Sequence, residues 1–304
     1  MTREQFFKNL EVPKGKIDVV LDTDAYNEVD DQYAIAYMLK SDYKLNVRGI
    51  CAAPFFNEKS TSPENGMEKS YDEIMNLLEL MDKEELKSIV YKGSRSYLPD
   101  EKTPVDSEAA RFMVELAKEY TPENPLYIVA IGAITNVASA ILMDPAVKEN
   151  CVIVWLGGKA HSFDAREFNM IQDIAGARVL FGCGVPVVQL PCMGVVDKFH
   201  TSRYDLEHYL LGKNKLCDYL VNYTVRDTEA YFPGKPWHRV IWDVTAVAWL
   251  LNDNDRFMLS DIVHAPIPEY DGRYAPASDT PFMNYVYHIM VDELMADLFE
   301  TLVK

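Results

Sequence analysis

The 304-residue chain carries 30 basic and 47 acidic residues, a formal net charge of −17, and is 48% hydrophobic. That acid excess excludes a nucleic-acid backbone or an anionic membrane surface as the main partner. The apolar fraction excludes wholesale disorder and suits a soluble protein that acts on a small molecule or holds a cation.

The opening segment, MTREQFFKNLEVPKGK, has no long apolar stretch, so no signal peptide is expected. No run approaches the roughly 18 apolar residues of a membrane span, and a cytoplasmic location is the default expectation. A first strand is predicted over residues 17–24, followed by a helix over 31–40 with apolar residues at Ala34, Ile35, Met38 and Leu39. Between them, five acids fall within ten residues: Asp22, Asp24, Glu28, Asp30 and Asp31. Acids massed at the end of a buried strand repel one another. A hard cation relieves that repulsion, and several oxygen ligands of this kind suit Ca²⁺. An acidic turn with a helix N-cap would explain two such acids. Five acids after an apolar strand point instead to a metal or sugar site, because ligands in open α/β sheets sit at the carboxyl ends of strands.

Further strands are predicted over 45–53, 126–132, 151–157 and 186–190. Further helices are predicted over 68–81, 108–119, 135–143, 173–181, 215–231, 244–251 and 292–303. The strands are apolar at successive positions, which implies burial on both faces and a mainly parallel sheet between helices. The turn-rich stretches 57–66, 94–105 and 232–237 are expected to be loops. The five cysteines are scattered without C-x-x-C spacing, which suggests neither a zinc site nor a redox motif. The expected architecture is one α/β domain, residues 1–304, with a mostly parallel central sheet flanked by helices.

Three later segments stand beside the acid cluster. In YIVAIGAITNVASAI a strand ends at Ile131-Gly132 and a helix begins near Thr135-Asn136; Gly132 permits close approach of backbone to a ligand. Glu167-Phe168-Asn169 follows the strand CVIVWLGG and a polar loop. In IWDVTAVAWLL, Asp243 stands at a natural N-cap before an apolar helix. Taken singly, a capped turn, a polar tripeptide and an N-cap would explain each of them.

In their shared order, DTD…DD, the strand–Gly–x–x–Thr–Asn turn, EFN and the late Asp resemble the nucleoside hydrolases, from about Val19 to Leu251. CAAPFFNEKS resembles that family's second strand with its asparagine. The resemblance implies a bound Ca²⁺ at the strand ends and hydrolysis of the N-glycosidic bond of a ribonucleoside, giving ribose and free base. It implies that Asp24 binds Ca²⁺ and takes a proton from the attacking water. Asp31, Asp243 and the Ile131 carbonyl would be further ligands. Asp30, Asn57 and Asn169 would hold ribose hydroxyls, and Glu167 the 5′-hydroxyl. A homodimer or homotetramer is also implied.

The chain departs from the family pattern in three places. Five residues, 25–29, separate Asp24 from Asp30, two more than usual and without the Pro-Gly turn, so that Asn27 or Glu28 can enter the site. Trp242 replaces a histidine that serves as acid for the departing base. Indole cannot protonate a base, though it can stack on one. His161 stands where an asparagine is common. His238 and His161 are the candidates for leaving-group activation, and Tyr231, Phe232 and Trp237 for walls of a base pocket. Other readings are an N-ribosyl hydrolase of a different ribosyl substrate and a ribose- or nucleoside-binding protein that has lost catalysis. A phosphatase reading would leave EFN and Asp243 unexplained.

Overall fold

A computed structural model of the chain describes residues 1–276 and 278–304. Among the described residues, ten strands are formed: β1 (Ile17–Thr23), β2 (Leu45–Ala52), β3 (Val90–Lys92), β4 (Leu126–Ala130), β5 (Cys151–Leu156), β6 (Val187–Leu190), β7 (His200–Ser202), β8 (His238–Val240), β9 (Met258–His264) and β10 (Phe282–Ile289). Eight of them build one sheet in the order β3-β2-β1-β4-β5-β6-β10-β9, and β7 pairs with β8 apart from it. Every neighbour pair in the large sheet is parallel except β10 with β9.

Side chains of the central strands alternate between two apolar layers, as a period of two requires. In β5, Val152, Val154 and Leu156 join one layer, whereas Cys151, Ile153 and Trp155 join the other. Strands buried on both faces therefore read as continuous apolar runs, and the expected α/β domain with helices on both sides is the one formed. The helix Asp31–Lys40 is buried from Asp31 to Leu39 and packs against the helix Val244–Leu250.

The strand order reverses at β1, with β2 and β3 on one side and β4, β5 and β6 on the other. Loops leaving β1 and β4 must then diverge to opposite sides and open a crevice at their carboxyl ends. The acid-rich loop after β1 and the Ile131-Gly132 turn after β4 flank that crevice.

All five expected strands form, but β3, β7, β8, β9 and β10 were not anticipated. The first three are three residues long, and β9 is a partly exposed edge interrupted by Ser260 and Asp261. The stretch 57–66, expected to be a loop, runs into a helix that starts at Pro63. Ser62 Oγ accepts from Asn65 N at 3.1 Å and Pro63 occupies the first turn, a standard start signal.

Candidate active site

The floor of the site begins where β1 ends. Asp22 is wholly buried and accepts from Asn136 Nδ2 at 2.8 Å; burial pushes its carboxyl up to about 7. Asn136 also donates to the Ala52 carbonyl and accepts from the Ser94 N–H, tying the ends of β1 and β2 together. Past the strand, Asp24 turns the chain: its carbonyl accepts from Asn27 N at 2.7 Å. Gln32 Nε2 donates to the Ala25 carbonyl at 2.8 Å and closes the longer loop onto its own helix. Asp24 is 1% exposed, and its Oδ2 has no hydrogen-bond partner among the described residues. Gly132 makes this placement possible, because a Cβ there would stand 2.9 Å from Asp24 Oδ1.

Two helix N-termini deliver the remaining acids. Asp30 precedes the helix Asp31–Lys40, and Asp243 precedes Val244–Leu250. Both occupy N-cap positions, yet neither side chain makes a capping hydrogen bond. Their carboxyls meet instead: Asp30, Asp31 and Asp243 each offer an oxygen within 4.8 Å of the others, and all three residues are buried. Asp30 Oδ2 also accepts from Asp243 N at 3.3 Å, and Thr23 Oγ1 donates to Asp31 Oδ1 at 2.5 Å. Burial, and then the neighbouring carboxylates, push Asp24, Asp30 and Asp243 well above the usual carboxylate range. Burial raises Asp31 to about 6 against the opposing hydrogen bond from Thr23.

These acids line one cavity of about 260 Å³ together with Ile131, Asn169 and Trp242. Asn169 Nδ2 donates to the Ile131 carbonyl (3.2 Å) and the Leu156 carbonyl (3.1 Å), which leaves its Oδ1 free to accept. The Ile131 oxygen keeps a second lone pair. Glu167 reaches the cavity but is engaged with backbone, accepting from Gly158 N, Asn169 N and Met170 N at 2.8–3.0 Å. It caps the short helix Phe168–Gln172, so capping does explain this acid where it fails for Asp30 and Asp243.

Three expected site residues lie off the cavity lining. Asn57 stands behind it and donates through Nδ2 to Asn27 Oδ1 at 2.6 Å, so that Asn27 is the amide in the cavity. His161 Nε2 pairs with Gln189 Oε1 at 2.8 Å, and its ring packs on Tyr285. His238 is exposed on β8, with its ring 4.7 Å from that of His200. Its neighbour Arg239 is the group that turns inward, to Glu28 Oε2 at 2.9 Å. Among the described residues, no histidine lines the cavity. Tyr231 and Phe232 are exposed and Trp237 is packed under its loop, and none of the three lines it.

The cavity also contains residues the sequence reading passed over. Cys192 and Met193 follow β6, and Lys159 and Arg166 belong to the loop after β5. The carboxyl-end rule applied to every central strand would have found Cys192, Met193 and Lys159. Nothing in sequence marks Arg166 beyond its place before EFN.

The donor set suits a hard divalent cation: clustered carboxylates, a strand-end carbonyl and an orphaned buried carboxylate oxygen, all oxygen ligands. Without such a charge, four buried acids must hold protons or repel. The arrangement can therefore bind a cation, grip vicinal hydroxyls and accept a proton from water.

Comparison with known proteins agrees with this geometry. A family profile described as inosine-uridine preferring nucleoside hydrolase matches residues 19–275. A probable uridine nucleosidase 2 from Arabidopsis thaliana is 29% identical over 133 residues, covering 42% of this chain and 40% of that protein. The pyrimidine-specific ribonucleoside hydrolase RihA of Citrobacter koseri is 31% identical over 159 residues, 49% of this chain and 48% of that protein. The chain thus spans less than half the length of these curated relatives. A plant nucleoside hydrolase structure shares the fold, with a TM-score of 0.74 at 21% identity over 96% of this chain and 99% of that one. With the profile running through most of the sheet and both acid clusters, the chain belongs to the inosine-uridine preferring nucleoside hydrolase family.

Proposed function

We propose that the protein hydrolyses the N-glycosidic bond of ribonucleosides in the cytoplasm, as a calcium-dependent homo-oligomer. The observation that carries this reading is the pair of N-cap aspartates, Asp30 and Asp243, that cap nothing and converge with Asp31 beside the orphaned Asp24. The cation would be held by Asp24, Asp31, Asp243 and the Ile131 carbonyl, with Asp30 close enough to share it. Calcium, when bound, offsets the clustered negative charge and makes a nearby water more acidic.

Asp24 Oδ2 accepts the proton of the attacking water. The water oxygen bonds to C1′ as the C1′–N bond breaks, and the electron pair leaves with the base. Positive charge builds on the sugar in the transition state, where the surrounding carboxylates stabilise it. Asn169 Oδ1 and Asp30 accept from ribose hydroxyls and fix the sugar's orientation. Asn27, steadied by Asn57, offers a further amide. Glu167 holds the wall in place through its three backbone contacts and leaves little acceptor capacity for a hydroxyl. Trp242 provides a π-face for the base. With no histidine in the cavity lining among the described residues, the leaving nitrogen is protonated from solvent.

Asp24→Asn tests the reading. Turnover falls by roughly 10²–10⁴-fold, while calorimetry shows ribose still binding. Undiminished turnover would remove Asp24 from the proton-accepting role.

A further inference from the structure

We propose that the substrate carries a phosphate ester on the C5′ oxygen of its ribose, and that Lys159 and Arg166 bind it. This rests on the reading of the site as a ribosyl hydrolase and narrows the ribonucleoside substrate proposed above to its 5′-phosphorylated form, a ribonucleotide.

The cavity is polarised. Its floor acids are 1–4% exposed, whereas the Lys159 and Arg166 side chains are 21% and 64% exposed at its mouth. Both cations are held in place by one carboxylate. Asp164 Oδ1 accepts from Lys159 Nζ at 2.7 Å and from Arg166 N at 3.0 Å. Asp164 Oδ2 accepts from Arg166 Nε at 3.2 Å and Nη2 at 2.9 Å. One negative charge thus organises two positive ones, leaving an excess of one. Two ammonium hydrogens and three guanidinium hydrogens have no partner among the described residues.

The backbone beneath them is built to hold this shelf. The Tyr274 hydroxyl accepts from Lys159 N at 3.3 Å and donates to Lys159 O at 3.2 Å. Gly272 O accepts from Ala165 N at 2.8 Å. Gly272 has a φ of +82°, and a Cβ there would stand 2.5 Å from Arg166 Cγ, so glycine is what lets the arginine stem lie flat.

A ribose whose vicinal hydroxyls face the acid floor has one hydroxyl left, on C5′, directed away from the reacting C1′. A neutral hydroxyl gains little from two cations. A phosphate gains charge-assisted contacts from both, through the lysine's point charge and the arginine's fork. Glu167 lies close by, but its carboxylate is compensated by three N–H donors. The bond changes are those of hydrolysis at C1′: water adds its oxygen to C1′, one proton passes to Asp24, and the base nitrogen takes a proton from solvent. The phosphate ester stays intact, and the products are ribose 5-phosphate and free base.

The test is calorimetric titration of ribose and of ribose 5-phosphate into the calcium-loaded protein, for wild type, K159R and K159Q/R166Q. Wild type is expected to prefer ribose 5-phosphate by about tenfold or more, as two partly solvated charge-assisted contacts allow. The ratio is expected to persist in K159R and to fall toward one in the double variant, with each variant's fold checked by its melting temperature. A wild-type ratio near one, or a ratio that survives K159Q/R166Q, overturns the proposal and leaves the Asp164 cluster as a loop staple. Turnover of ribonucleosides and their 5′-monophosphates, followed in parallel, separates the two readings. No turnover of either with the ratio intact overturns the hydrolase reading and upholds the anion shelf. Turnover of nucleosides with a ratio near one does the reverse.

Discussion

Withdrawing calcium should cost the protein more stability at high pH than at low pH. Asp24, Asp30, Asp31 and Asp243 are buried together and favour their protonated forms in the metal-free fold. A carboxyl whose folded-state pKa is raised keeps its proton after the unfolded chain has released one. The stability this gives is fully present below pH 4 and is lost as pH rises through the folded value. For Asp31 the window runs from 3.8 to about 6, which corresponds to about 3 kcal/mol. In a chain of this size that corresponds to roughly 5 °C in melting temperature. Calcium favours the ionised cluster, so the calcium-bound protein escapes this loss. The assay is thermal melting with calcium and with a chelator at pH 5, 6, 7 and 8, read as the difference between the two. Taking the difference cancels acids that do not face the ion, including Asp22. About 1.4 kcal/mol of the Asp31 contribution is still to be lost above pH 5, so the gap should widen by at least about 2 °C between pH 5 and pH 8, and should shrink in Asp243→Asn. A gap that is constant across this range would refute the claim that the four acids form one cation site.

Other outcomes follow from particular contacts. Gly132→Ala places a methyl group 2.9 Å from Asp24 Oδ1; displacing that carboxylate should lower kcat by about 100-fold, measured by release of reducing sugar. Trp242→Ala should raise KM by about tenfold with a smaller change in kcat, because an indole that stacks on the base, as proposed, exchanges no proton with it; steady-state kinetics separate the two. Asp243→Ala should weaken calcium binding by more than about tenfold in calorimetry, and unchanged affinity would remove it as a ligand. His238→Ala should leave turnover within about twofold, since the ring sits on an exposed strand away from the cavity.

The central sheet was legible because its strands are buried on both faces and so read as unbroken apolar runs. The edge was not: β9 and β10 mix polar and apolar residues, and their pairing is a long-range event that local pattern does not encode. At the site, the chain order of Asp24, Asp30, Asp31, Glu167, Asn169 and Asp243 was readable, and all six line one cavity. What sequence could not decide was capping against ligation. Asp243 and Glu167 both stand at N-caps, and only the side-chain geometry separates them: Glu167 bonds the first-turn N–H groups and Asp243 does not. Proximity in sequence misled at His238, because β8 alternates its side chains and turns Arg239, not His238, toward Glu28. Asn57 was misplaced by one layer, because the longer loop after Asp24 inserts Asn27 in front of it.

Release of reducing sugar from a panel of purine and pyrimidine ribonucleosides and their 5′-monophosphates, with calcium and with a chelator, tests the account most directly. Chelator-sensitive release from at least one of them is the predicted result. Release that is indifferent to the chelator would contradict the acid cluster as a working cation site, and no release with calcium binding intact would contradict the hydrolase itself.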